Sequence, residues 1–167
     1  MSIADALLAE LEQEARTTRR VLERIPQEHL SWRPHPKSMS LGQLALHIAQ
    51  VPGSVAELAM QDTVPAPPSF VQAEVATAAE LVPALTASID KAKQLVGRLD
   101  DAAMAATWRL MNDGREILAM PRVALLRAIM LNHWYHHRGQ LLVYLRLLDL
   151  PVPSVYGPTA DENPFTG

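Results

Sequence analysis

The amino-acid sequence predicts an all-α protein: a four-helix bundle with a possible short β-hairpin before the last helix and an irregular C-terminal tail. Apolar residues recur at helical spacing in four long segments, and charged residues lie between them. At most one pair of segments alternates with the period of two that strands require. Four amphipathic helices around one core are typical of a bundle, and 167 residues are ample for a single domain over residues 1–167.

The first two predicted helices begin after good capping residues. The first follows Ser2 and ends before Pro26, and the second follows Ser40. Pro52 and Gly53 fall inside the apolar stripe of the second helix. Because proline lacks the amide hydrogen that a helix interior needs, we expect a kink or an early stop there.

The middle of the chain is predicted to contain a loop, the third helix and a turn. Residues 63–69 are proline-rich and indicate a connecting loop. The segment Thr77-Ala-Ala-Glu80 has the spacing of a capping box and opens the third helix. Asp113-Gly114 lies between two partly apolar runs, which suggests a short hairpin, with an irregular loop as the alternative.

The fourth helix is predicted to start near Pro121 and to run to about Leu148, because proline is well tolerated at the first helical position. An irregular tail, residues 150–167, follows it. Trp32, Trp108 and Trp134 are expected to be packing residues.

Composition and charge exclude several classes of function. The formal net charge is −3 and no stretch is polybasic, so we expect no nucleic-acid partner. The chain has no cysteine, which excludes disulfides, thiolate ligands and cysteine nucleophiles. Arg122, Arg127 and the histidines interrupt the most apolar stretch, so no membrane span is expected. The first residues lack the basic-then-apolar order of a signal peptide, and we therefore expect a cytoplasmic protein.

Three histidines lie on apolar helical stripes. His133 and His137 are four residues apart in the fourth predicted helix, which places both side chains on nearly the same face. His47 occupies the inward stripe of the second helix. Six histidines in this chain would give roughly 0.2 such i, i+4 pairs by chance, so spacing alone is weak evidence. Their shared inward position favours one divalent metal ion held by His47, His133 and His137.

The residues alone leave two other interpretations of these histidines open. They could be core side chains with satisfied hydrogen bonds, or they could line a wet crevice that holds no metal. His136 points away from the metal-facing side and is expected to be a surface or outer residue. His29 and His35 lie in or beside a proline-rich segment and are expected to be exposed.

Four stretches of the chain resemble one known family in the family's order. They are SWRPHPKS (residues 31–38), SMSLGQLALHIAQ (38–50), NHWYHHRGQLLVYLR (132–146) and PVPSVYGPTADE (151–162). The first resembles the family's loop before its second helix, and the others resemble its second-helix, fourth-helix and tail signatures. On these motifs the chain is similar to the DinB/YfiT-like metal-binding proteins.

The resemblance implies a four-helix bundle, often a homodimer, in which three histidines bind nickel, zinc or a similar ion. By position these would be His47, His133 and His137. Some relatives are thiol-dependent S-transferases or isomerases that use bacillithiol, mycothiol or glutathione, and many have no assigned reaction. The resemblance therefore implies a small-molecule substrate and a soluble thiol as candidate co-substrate, without naming the reaction.

Two functional hypotheses follow. The first is a metal-dependent enzyme, a transferase or hydrolase, because three histidine ligands leave a coordination position for water or substrate. The second is a non-catalytic metal-binding or stress-response interaction module. The sequence identifies no catalytic residue, although Asp161, Glu162 and Tyr156 would become candidates if the tail folded back.

The tail is expected to pack along the helices and to form part of the wall near the metal. Its four prolines reduce the entropy that is lost when such a segment becomes ordered. Gly139 follows the histidine pair inside the fourth helix, where it would allow another backbone to come close. The alternative is a frayed terminus.

Overall fold

The computed structural model, which describes residues 1–67, 69 and 71–165, is mostly helical with one small three-stranded sheet. No helix within these ranges is long and apolar enough to cross a lipid bilayer. Single 3₁₀ turns lie at Gln27–His29 and Ala78–Glu80, and a π-helical segment lies at Leu126–Asn132. The remaining elements are α1 (Ile3–Leu22), α2 (Leu41–Ala59), β1 (Thr63–Pro65), α3 (Leu81–Val96), α4 (Asp101–Ala105), β2 (Thr107–Asn112), β3 (Arg115–Pro121), α5 (Arg122–Leu125) and α6 (His133–Leu147).

The predicted helix starts are confirmed by their capping contacts. Ser2 forms a capping box with Asp5 at the start of α1, and Ser40 forms one with Gln43 at the start of α2. The predicted capping box from Thr77 to Glu80 also forms, but it opens a 3₁₀ turn that leads directly into α3.

The predicted hairpin is present as β2 and β3, which pair antiparallel. Asp113 and Gly114 between them have φ of 47° and 78°, the left-handed values that two-residue hairpin turns need. The predicted loop over residues 63–69 is wrong at its start, because Thr63–Pro65 forms β1 and pairs parallel with β2. Proline is tolerated there because β1 is an edge strand.

Helix α2 is the central element, since 14 of its 19 residues are buried and it packs against both α3 and α6. It continues through Pro52 and Gly53 to Ala59, so the early stop that we considered is wrong.

Two side chains compensate for the proline inside α2. Pro52 has no amide hydrogen for the carbonyl of Ile48, and the indole Nε1–H of Trp134 donates to that carbonyl at 2.8 Å instead. The amide of Gly53 donates to the Ser88 hydroxyl at 2.8 Å. A Cβ at Gly53 would lie 2.9 Å from the Ser88 carbonyl oxygen, so glycine allows α3 to approach this closely.

The last helix is predicted as one segment and consists of α5, the π-helical segment and α6 in direct succession. The π-helical turns end at Asn132, immediately before His133. Such wide turns are frequent at functional sites, and the apolar spacing of the sequence does not reveal this one.

The tail packs back on α1 and α6, as predicted. Arg138 on α6 is 1% exposed and pairs with Glu14 of α1 at 2.5 Å. The Tyr156 hydroxyl of the tail donates to the same carboxylate at 2.9 Å. The expected backbone approach at Gly139 is wrong, because a Cβ there would meet no atom of the described residues within 4 Å.

The Trp134 hydrogen bond can be tested against Pro52 in a double-mutant cycle. Trp134→Phe leaves the buried Ile48 carbonyl without its donor, which should lower the free energy of unfolding by about 1–3 kcal/mol in addition to the lost packing. In a Pro52→Ala background, the alanine amide can reach that carbonyl, so the same change should cost less. Urea unfolding of the four proteins measures the coupling, and equal costs in both backgrounds would contradict this account.

Candidate metal centre

The three histidines that the sequence singled out come together in the structure. His47 lies on α2, and His133 and His137 lie one turn apart on α6. One ring nitrogen from each lies within 4.8 Å of the other two. The Nε2 atoms of His47 and His133 are 3.1 Å apart, and the ring centroids of His133 and His137 are 4.3 Å apart.

The contact between α2 and α6 explains why these side chains meet. Trp134, the residue after His133, hydrogen-bonds to the carbonyl of Ile48, the residue after His47. This bond fixes the relative register of the two helices. The i, i+4 spacing then brings His137 to the same side of α6 as His133.

Burial keeps the three imidazoles neutral near pH 7. It lowers the pKa of His47 to about 4, and repulsion from His137, when that ring is protonated, acts in the same direction. Burial also lowers the pKa of His133 and that of His137. Neutral imidazoles keep a lone pair for an ion, which protonated ones lack.

Two glutamines, which the sequence analysis missed, orient the rings. Gln72 Oε1 lies 3.1 Å from Nδ1 of His47, and Gln140 Oε1 lies 2.7 Å from Nδ1 of His137. An Nδ1–H that donates to glutamine leaves Nε2 as the atom available to a metal. Gln140 lies three residues after His137, a spacing that could have been noticed. Gln72 lies in a loop 25 residues from His47 and gave no signal.

The other aromatic and histidine predictions are largely confirmed. His136 is exposed, and its Nε2 lies 3.1 Å from Nε2 of Gln140, outside the three-histidine cluster. His35 is exposed as expected, whereas His29 is only partly so. Trp108 and Trp134 are buried packing residues.

The histidine cluster opens into a cavity of about 540 Å³. None of the described tail residues lines this cavity, so the predicted tail wall near the metal is wrong. Asp161 and Glu162 instead pair with Arg146 and Arg20. The lining residues are Arg33, Pro36, Lys37, Ser38, Met39, Gln43, His47, Val71, Gln72, His133 and His137.

The donor set fits a divalent transition metal. Two nitrogens about 2.0–2.1 Å from one ion lie roughly 2.9–3.4 Å from each other at angles of about 90–109°. The 3.1 Å between Nε2 of His47 and Nε2 of His133 falls in that range. Since three donors face an open cavity, a coordination position would remain for water or a substrate.

A sequence model of the DinB family matches residues 1–164. The chain is similar to the solved structure of a DinB-like protein from Bacillus cereus ATCC 10987, with 24% identity, a TM-score of 0.68, and coverage of 91% of this chain and 97% of that one. A DinB-like protein from Bacillus subtilis is similar at 20% identity and a TM-score of 0.67, with 94% and 98% covered. Such identities establish the fold alone, and no protein with a curated description matches the chain.

The glutamine contacts predict the tautomers of two histidines in the metal-free protein. His47 and His137 should carry hydrogen on Nδ1, because that atom lies within hydrogen-bond distance of a glutamine oxygen, which can only accept. Gln72→Leu should shift His47 towards a mixture of tautomers, whereas Gln94→Leu, on an exposed site of α3, should not. Two-bond ¹H–¹⁵N correlation spectra at pH 8 measure this, and an Nε2–H tautomer of His47 in the unaltered protein would refute the assignment.

Proposed function

Because the chain belongs to the DinB family, we propose that it is a metal-dependent enzyme that holds one divalent ion on His47, His133 and His137. The observation that carries the proposal is the convergence of three imidazole nitrogens within 4.8 Å of one another on two helices. Isolated core histidines would not need to face each other, whereas ligands of one ion must.

Nickel or zinc is the proposed ion. Imidazole nitrogen suits both metals, and the described residues that line the cavity include no carboxylate, which hard ions such as magnesium or calcium would require. Gln72 and Gln140 would hold the His47 and His137 rings in the orientation that metal binding requires.

We propose thiol-dependent S-transfer as the reaction class, with the metal-facing cavity as the place of reaction. A bound ion would lower the pKa of a thiol or water, or polarise an electrophile. The protein has no cysteine, so the thiol must come from solution. The cavity of about 540 Å³ has room for a small molecule beside the histidines. The family resemblance supports bacillithiol, mycothiol or glutathione as the class of thiol.

A non-catalytic metal-binding or stress-response module is the second candidate. It is favoured by the absence of any carboxylate among the described residues that line the cavity, since general acid–base chemistry commonly uses such a group. A transfer assay with each of the three thiols and a small electrophile separates the candidates. Thiol conjugation that requires the metal supports the enzyme.

We also propose that the long helical segments form the four-helix bundle expected of the family. α1 packs against α3 and α6, and α2 packs against α3 and α6. These pairings are those of four helices that surround a shared core.

Replacement of single ligands should remove the ion. His47→Ala, His133→Ala and His137→Ala should each lower the zinc or nickel content of the purified protein more than about tenfold, because two imidazoles bind far more weakly than three. Mass spectrometry of the metal content and circular dichroism of the helices measure both effects.

His136→Ala is the matched control for these variants, because His136 lies on the same helix but outside the cluster. It should keep the ion. Full metal occupancy in the three ligand variants would exclude these histidines as the site.

Homodimerisation is a further proposal, supported by the family resemblance and by exposed apolar side chains on β3. Ile117 is 50% exposed and Leu118 is 40% exposed in this edge strand. Light scattering at micromolar concentration should give twice the chain mass of 18.4 kDa. A monomer over a wide concentration range would remove the proposal.

A further inference from the structure

The only formally charged residues among the described lining of the metal-facing cavity are Arg33 and Lys37. Both are basic, in a chain that has 18 acidic and 15 basic residues overall. Both lie in the loop that precedes α2, and the backbone of this loop is anchored where the amide of Leu41 donates to the Trp32 carbonyl at 2.8 Å. The described residues that line the cavity therefore carry a net positive charge, although the protein as a whole is negative.

The Lys37 ammonium and the remaining N–H groups of the Arg33 guanidinium are available to a ligand. No hydrogen bond or ion pair reaches the Lys37 ammonium from the residues that the structure describes. The Arg33 guanidinium donates one hydrogen bond to the Ser38 carbonyl at 3.3 Å, and it faces Glu74 at 3.8 Å, with side chains that are 40% and 61% exposed. Such an exposed, long ion pair is weak, and Glu74 also accepts a hydrogen bond from the Ser40 hydroxyl. A ligand anion would compete with a partly engaged and solvated carboxylate.

A second depression adjoins the cavity, and its lining differs from that of the cavity in charge. A groove of about 280 Å³ shares His47, Gln72 and His133 with the cavity. Its other described lining residues are uncharged, and they include the partly exposed Leu58 and Ile129. A charged group loses hydration in that groove without gaining an opposite charge, so it is better placed beside Arg33 and Lys37.

We propose that the cavity binds a small organic anion whose negative group pairs with Arg33 and Lys37 while a second donor atom faces the histidine cluster. Carboxylates and phosphates share the required charge. Contact with the cluster rests on the proposed metal function. The pairing with Arg33 and Lys37 does not, because it needs no ion.

The probe is succinate, with neutral succinamide as its uncharged counterpart. Both are titrated into the zinc-loaded protein and the metal-free protein, and ¹H–¹⁵N shifts of residues 33–43 are followed. Succinate should bind at least about fivefold more tightly than succinamide, because two exposed charge pairs each contribute modestly. Methyl phosphate and the uncharged trimethyl phosphate are titrated in the same way. Comparison of methyl phosphate with succinate shows whether the cavity prefers phosphate-bearing or carboxylate-bearing ligands.

Arg33→Gln/Lys37→Gln should abolish the preference for succinate. The matched control is Arg98→Gln/Arg115→Gln, which removes the same charge from two exposed positions outside the cavity and should retain the preference. Arg33→Lys/Lys37→Arg keeps both charges and should prefer succinate as the unaltered protein does. This result shows that the first variant loses the preference because it lacks the charges. Equal loss in the first variant and the control, or no preference in the unaltered protein, would overturn the proposal.

Zinc content, measured by mass spectrometry in each sample, separates this inference from the proposed function. If the protein does not retain zinc but prefers succinate to succinamide, the anion site is supported and the proposed metal function is contradicted. If the protein retains zinc but binds succinate and succinamide equally well, the anion site is contradicted and the metal site stands.

Discussion

The hydrogen bond from the Trp134 indole to the Ile48 carbonyl is the contact on which the site depends. It exists because Pro52 cannot donate to that carbonyl, so α2 presents an acceptor to a neighbouring helix at a buried position. The bond joins the residues that directly follow His47 and His133. The missing amide hydrogen at Pro52 thus leaves an acceptor for Trp134, and the resulting bond sets the register of α2 and α6. This register brings the histidines of the two helices together.

A second constraint holds α6 one turn further along the helix. Arg138, adjacent to His137, is buried against Glu14 and Thr18 of α1, with the tail residue Tyr156 on the same carboxylate. Breaking such a buried pair from one side leaves an uncompensated charge, which costs about 3–5 kcal/mol. α6 is thus fixed by a hydrogen bond to α2 at Trp134 and by an ion pair to α1 at Arg138. Tyr156 of the tail lies against this ion pair, and no described tail residue lines the cavity at the histidine cluster.

The electrostatics of the site follow from this packing. Burial lowers the pKa of each imidazole in the cluster, and the glutamines direct the Nδ1 atoms away from the shared centre. The result is a set of neutral nitrogen donors in a cavity whose lining also carries Arg33 and Lys37. Nitrogen donors that fit a cation therefore lie next to side chains that attract an anion, an arrangement suited to the anionic ligand and the metal ion that we propose.

The sequence by itself determined the mostly helical class, the capped starts at Ser2 and Ser40, and the three inward histidines, because capping and periodicity are set by residues a few positions apart. Tertiary structure alone decided β1, whose pairing joins residues 63–65 to 109–111. It also decided the passage of α2 through Pro52, the contact of Gln72 with His47, and the placement of the tail away from the cavity. Each of these depends on hydrogen bonds between residues tens of positions apart, and such partners leave no periodic trace in the chain.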